Sequence, residues 1–216
     1  MKNKLEIRTN NSKVEYRKDS ESGEVHIEGR GVVFNELSDD LGGFQERVLP
    51  EAVEGLDWKD VYSFINHDPN IVMGRTKSGT MKIDVRSDGV YYDVTPPKSA
   101  GRFVENIERG DIDGSSFAFR VAGDGDTWEE RDGGLVPLRT IKRFSRIKEM
   151  GAVIEPAYPQ STAESALRSL EEWRSKDKDE EEKPDPKPEM DEATKMIGDT
   201  LKTREKDNHT TNKIEK

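Results

Sequence analysis

From Lys176 to Lys187 the chain consists only of Lys, Asp, Glu and Pro. A run of this kind has no apolar surface whose burial could offset the entropy of ordering it. Any hydrophobic core must therefore be built by the residues before it. Over all 216 residues only 31% are hydrophobic and 37% are charged, a poor balance for a globular protein. Most of the apolar deficit falls after Leu170, so the earlier part retains enough apolar residues for one domain. Residues 189–201 carry Met190, Ala193, Ile197 and Leu201, a weak amphipathic pattern. The division expected is a flexible segment over 1–22 with a short edge strand at Val14 to Tyr16, a folded domain over 23–174, and a charged, largely disordered tail over 175–216 with room for one transient helix.

The absence of cysteine excludes a disulfide scaffold, a thiolate zinc site and a cysteine nucleophile. With three histidines, one of them in the tail, and no Asp-rich calcium loop, neither a metal nor another cofactor is expected. Against 35 Lys and Arg stand 45 Asp and Glu, a net charge of −10, which disfavours nucleic acid as a partner. No apolar run reaches membrane-spanning length, and Met1 to Asn10 lacks a signal-peptide core. The chain reads as soluble and intracellular, with no membrane partner. One local basic stretch, Arg139, Lys142, Arg143, Arg146 and Lys148, reads as the solvated face of a strand.

Hydrophobic periodicity assigns most of the folded part to strands. Residues 24–34 read as one strand with Gly29 and Gly31 as bulge sites. Residues 60–66 alternate Val61, Ser63 and Ile65 with Tyr62 and Phe64. Met81 to Arg86 and Val90 to Thr95 flank Ser87-Asp88-Gly89, a hairpin signal. Residues 99–109 switch to a helical period, with Phe103, Val104 and Ile107 on one face and Gly110 as the stop. Ser116 to Val121 is a strand, 123–134 a Gly- and Asp-rich loop, and 135–154 one or two further strands. A helix opens with the capping box Ser161 to Glu164 and carries the stripe Ala163, Ala166, Leu167 and Leu170. Many strands with one inserted and one terminal helix predict an α+β fold, a mostly antiparallel sheet or barrel with peripheral helices.

Three positions invite chemistry. His67 ends the strand over 61–66 and is followed by Asp68-Pro69, a strand end breaking into a loop, where catalytic groups are commonly displayed; a hydrogen-bonded turn histidine is the plainer alternative. In Gly114-Ser115-Ser116-Phe117-Ala118-Phe119-Arg120, side chains alternate between faces. Ser115 falls with Phe117 and Phe119 on the apolar face, and Ser116 with Ala118 and Arg120 on the other. A nucleophile needs room for substrate, so Ser116 is the better candidate; two small serines opening a strand is the plainer one. Glu149 enters the apolar run Met150 to Ile154, and a carboxylate there requires a partner. Lys148 or Arg146 would be a structural partner, and a histidine on the adjacent strand a functional one.

These stretches together resemble the caudoviral prohead protease family, which is related in fold to the herpesvirus assembly proteases. The resemblance runs from Val25 to Leu170. It is carried by Gly31 to Asn35 with Ser38 to Phe44, by Phe64-Ile65-Asn66-His67-Asp68-Pro69, by Met73-Gly74-Arg75-Thr76, by Arg109 to Phe119, and by Glu149 through Pro159. It implies that residues 23–174 are a protease domain with a Ser-His-acid triad of Ser116, His67 and Glu149. Glu149 stands where the herpesvirus relatives have a second histidine. Arg120, Arg143 and nearby backbone amides are the candidates for an oxyanion donor. The implied substrates are the major capsid protein precursor, scaffold segments and the chain itself, cleaved inside the assembling prohead in the host cytoplasm, with self-association possible. Two other readings remain open at this stage. One is a capsid-assembly scaffold with the same fold and no proteolysis; the other is an esterase-like hydrolase on a β scaffold.

Overall fold

The computed structural model describes residues 4–10, 12–133, 135–154 and 164–181. In chain order the strands are β1 (Glu6–Asn10), β2 (Glu15–Lys18), β3 (Val25–Val33), β4 (Gln45–Val48), β5 (Tyr62–Ile65), β6 (Asp68–Arg75), β7 (Met81–Arg86) and β8 (Gly89–Val94). Helix α1 (Gly101–Glu108) follows, then β9 (Gly114–Val121), β10 (Asp126–Glu129), β11 (Leu138–Ile141), β12 (Phe144–Val153) and helix α2 (Glu164–Glu181). The fold is mixed α+β, as the alternation pattern implies. It is not a barrel. Pairing produces three open sheets, ordered β1-β9-β12-β5-β6, β10-β11-β4 and β2-β3-β8-β7. Two of the pairings, β12 with β5 and β11 with β4, are parallel.

The five-stranded sheet packs one face against the four-stranded sheet. On that inner face β9 contributes Phe117 and Phe119, whose rings stack at 4.8 Å, and β12 contributes Ile147, Met150 and Ala152. Val32, Val90, Tyr92 and Val94 meet them from β3 and β8. Each buried side chain of this size contributes about 1.5–3 kcal/mol. Along β3 the register shifts between Arg30 and Val32, so the bulge expected around Gly31 is present. A second, smaller cluster joins Leu41 and Phe44 to Ala166 and Leu170 of α2, with Trp128 edge-on to Phe44 at 5.2 Å. The stripe read for this helix is thus its buried face at Ala166 and Leu170; Ser161 and Ala163 lie outside the described residues.

Gly110, at φ +81°, ends α1 as expected. Other expectations need correction. The segment read as flexible over 1–22 contains β1, which pairs antiparallel with β9; the short edge strand read at Val14 to Tyr16 is present as β2, paired with β3. The segment's polarity misled because Glu6 and Arg8 are buried as ion-pair partners rather than exposed. Residues 126–129 of the supposed loop are β10, held by β11. Arg139 does not belong to a solvated face: it is 2% exposed. Helix α2 runs to Glu181, several residues into the stretch assigned to the disordered tail; Lys and Glu are good helix formers, and the first proline comes only at Pro184. The remainder of the tail lies outside the described residues.

Candidate functional site

His67 sits in a two-residue hairpin loop between β5 and β6. Ile65 pairs with Asp68, and Asn66 and His67 both have positive φ, +50° and +61°. Positive φ at both central positions is the geometry that continues the right-handed twist of a hairpin, and Asn and His are among the non-glycine residues that best tolerate it. The sequence reading had a loop opening at Asp68-Pro69. Instead the chain turns back at once into β6, an edge strand on which a proline is allowed. Asn66 clamps the turn onto β12: its backbone N–H donates to the Ala152 carbonyl at 3.0 Å, and its Oδ1 accepts from the Ile154 N–H at 2.9 Å.

That clamp brings His67 over the outer face of the sheet. On this face Ser116 of β9 lies opposite Gly151 of β12, and Ala118 lies opposite Glu149. His67 Nε2 is 2.8 Å from Ser116 Oγ, and His67 Nδ1 is 2.6 Å from Glu149 Oε1. Glu149 is 5% exposed, and a carboxylate so placed requires the partner it finds in His67. Gly151 is required by close approach, because a Cβ there would collide with the Phe64 carbonyl of β5. A larger residue would push away the strand that carries His67. Ser115 faces the other way, fully buried, with its Oγ 3.3 Å from the Tyr92 hydroxyl. Burial in that apolar setting pushes the Tyr92 phenol well above its usual range.

The chain thus places a serine hydroxyl, an imidazole and a carboxylate in hydrogen-bonded sequence, drawn from two strands and one hairpin turn of the same sheet. A sequence model of the caudovirus prohead serine proteases matches residues 12–176, about three quarters of the 216 residues. The chain belongs to this family. No curated protein matches it. Among solved structures it is similar to the bacteriophage T4 capsid assembly protease, at 14% identity and a TM-score of 0.46, over 71% of this chain and 99% of that one.

Sequence reasoning missed β1. The Ser116 hydroxyl has a second acceptor in reach, the Arg8 carbonyl at 2.9 Å. A hydroxyl has one proton, so Arg8 and His67 compete for it. Ser116 is also fully covered, although the choice between the two serines had assumed open space around it. Only the pairing of β1 with β9 creates this contact, and no local motif around Arg8 announces it. Asn66, by contrast, was legible in principle as an Asn before His at a strand end. The two arginines considered as oxyanion donors are displaced from Ser116. Arg120 is four residues further along β9, about 13 Å at strand rise. Arg143 lies beyond the start of β12 and pairs with Asp124.

Behind the site, on the inner face, β1 is held by a buried ion network. Arg8 donates to Glu46 from Nε and Nη2, both at 3.0 Å, and to Glu6 at 2.8 Å. Arg139 donates to Glu6 at 2.7 Å, Glu46 at 2.9 Å and Asp126 at 2.8 Å. Burial alone would raise the Glu6 carboxyl, but Arg139 and Arg8 outweigh it and hold it below the usual carboxylate range. Burial would likewise lower Arg139; the carboxylates of Glu46, Glu6 and Asp126 instead raise it.

Proposed function

We propose that this chain is a serine endopeptidase that cleaves capsid and scaffold precursor segments during prohead maturation, with Ser116 as nucleophile, His67 as base and Glu149 as the orienting acid. The observation that carries the reading is the continuous hydrogen-bond chain from Glu149 through His67 to Ser116 in a member of the prohead serine protease family. Nδ1–H of His67 donates to Glu149, which leaves Nε2 to accept the Ser116 proton as Oγ attacks a peptide carbonyl. The imidazolium then returns that proton to the leaving amine, and water repeats the cycle on the acyl-enzyme. Glu149, buried and bonded to His67 with no Lys or Arg ion pair among the described residues, stabilises the imidazolium as it forms. Substrate must reach a serine that is covered, so catalysis requires Ser116 to be uncovered and its proton to be surrendered by the Arg8 carbonyl.

The partners under this reading are the major capsid protein precursor, scaffold segments and the chain itself. Its place of action is the interior of the assembling prohead. Among the described residues no helix is long and apolar enough to cross a membrane. The charged, proline-broken segment after about Trp173 is the expected point of self-processing, since sequences with so little apolar surface to bury are preferred sites of nicking. The test is intact mass spectrometry of wild type and Ser116→Ala, alone and co-assembled with the capsid precursor. Cleaved precursor and a shortened chain in wild type only would support the reading. An uncut precursor in both would favour the scaffold alternative. Equal tail loss in both chains would assign that cut to another protease.

A further inference from the structure

The outer face that carries Ser116 continues along the sheet to a second, differently built place. Opposite pairs on β9 and β12 run from Ser116 with Gly151, through Ala118 with Glu149, to Arg120 with Arg146. Residues directly opposite in an antiparallel pair share a face, and like charges there repel. Two guanidinium groups side by side therefore need anions. Glu149 is engaged by His67. Asp60 is held by Arg75 Nε at 2.6 Å and reaches Arg146 only at 4.0 Å, with the Arg146 side chain 53% exposed, so that contact is weak. Arg120 is half-buried, and among the described residues its guanidinium has no hydrogen-bond or ion-pair partner; its Nε is shielded from water. Leaving a buried donor of this kind unpaired costs about 1–3 kcal/mol. By contrast, the buried arginines of the inner face each have at least two carboxylates.

We propose that Arg120 and Arg146 form an anion-binding subsite that takes a substrate Asp or Glu side chain about four residues from the bond cut. The distance follows from geometry. Arg120 is four strand residues from Ser116, and an extended peptide rises by about the same 3.3 Å per residue, so a substrate lying along β9 presents its fourth residue there. The carboxylate would supply the acceptor that Arg120 lacks and relieve the repulsion from Arg146. Charged contacts of this kind select among substrates more than they raise the rate. The inference rests on the protease reading above.

The test uses the full-length chain and a peptide library prepared from a bacterial proteome, with cut sites read by mass spectrometry. Wild type is expected to enrich Asp and Glu about three- to tenfold at one position three to five residues from the cut, the range that corresponds to about 0.7–1.4 kcal/mol. Arg120→Gln should lose the enrichment, with KM for an acidic peptide raised and kcat little changed. Arg120→Glu should turn the preference toward Lys and Arg at the same position. Arg120→Gln should also melt no lower than wild type, because it removes an unpaired charge. Cuts without acidic preference, a preference unchanged in Arg120→Gln, or a lowered melting temperature with unchanged preference would overturn the subsite and leave the protease standing. Absence of cuts by wild type, or equal cutting by Ser116→Ala, would overturn both.

Discussion

The two faces of the central sheet carry two buried polar clusters, separated by the thickness of one strand layer, and they are wired differently. On the inner face Glu6, Arg8, Glu46, Asp126 and Arg139 form a closed web in which each arginine has at least two carboxylates. On the outer face Glu149, His67 and Ser116 form an open line, with one bond from acid to imidazole and one from imidazole to hydroxyl. Burial is the same in kind: Arg139 is 2% exposed and Glu149 5%. A saturated web has no group left to react, and its removal should be felt in stability. An unsaturated line that ends on a hydroxyl can pass a proton, and its removal should be felt in rate. Buried charge by itself is thus no sign of a site; the arrangement of its partners is.

The comparison breaks most sharply at Glu149. Glu149→Gln keeps the shape but loses the anion that orients and stabilises the imidazole, and kcat for precursor cleavage should fall by about 10³- to 10⁴-fold with a nearly unchanged melting temperature. Steady-state cleavage and calorimetry on the same sample measure both. A large loss of stability with little loss of rate would mean that Glu149 belongs with the web.

Arg139→Met should do the opposite. It takes one arginine from Glu6, Glu46 and Asp126 and leaves Arg8 to face Glu6 and Glu46 alone, and removing one partner of a buried ion network costs about 3–5 kcal/mol. Urea unfolding should show a lowered midpoint. The remaining folded fraction should still bind an active-site serine probe. An unchanged midpoint would show that the web is looser than its geometry.

Acid should separate the faces by a smaller margin. The folded state holds Glu6 below the ordinary carboxylate value, so the unfolded chain binds that proton more readily. The Glu6 contribution is present above the unfolded value of about 4.3 and is lost as pH falls through the lower folded value. Melting temperature against pH should drop below about pH 4 in wild type and drop less steeply in Glu6→Gln. Parallel curves would remove Glu6 as a contributor.

The smallest effect expected is that of Ser115→Ala. Among the described residues its hydroxyl hydrogen-bonds to Tyr92, at 3.3 Å, so stability should fall by about 1 kcal/mol and cleavage should persist. Loss of cleavage comparable to Ser116→Ala would overturn the choice of nucleophile.

Strand alternation was sufficient to separate Ser115 from Ser116, because in an extended chain facing is decided by residue parity alone. The helical stretch before Gly110 and the hairpin around Ser87 and Asp88 were legible for the same reason: each is set by contacts within a few residues. The order of strands in the sheets was not. Glu6 and Arg8 look like solvent residues until β4 and β11 bring Glu46 and Arg139 to them. Arg139 looked like part of a basic surface until its carboxylates arrived from three other strands. The closure expected of a barrel failed likewise, since pairing between distant strands depends on packing that no local pattern encodes. What the amino-acid sequence by itself determined about this protein is therefore which residues could share a face, and through its motifs which family it belongs to. What only the tertiary structure decided is which faces meet: that β1 lies against β9 with the Arg8 carbonyl at Ser116, and that a two-residue turn at Asn66 and His67 spans the sheet to Glu149. The physical reason is range. Dihedral preference and alternation act between neighbours, whereas these contacts join residues 49, 82 and 108 positions apart and exist only once the core has formed.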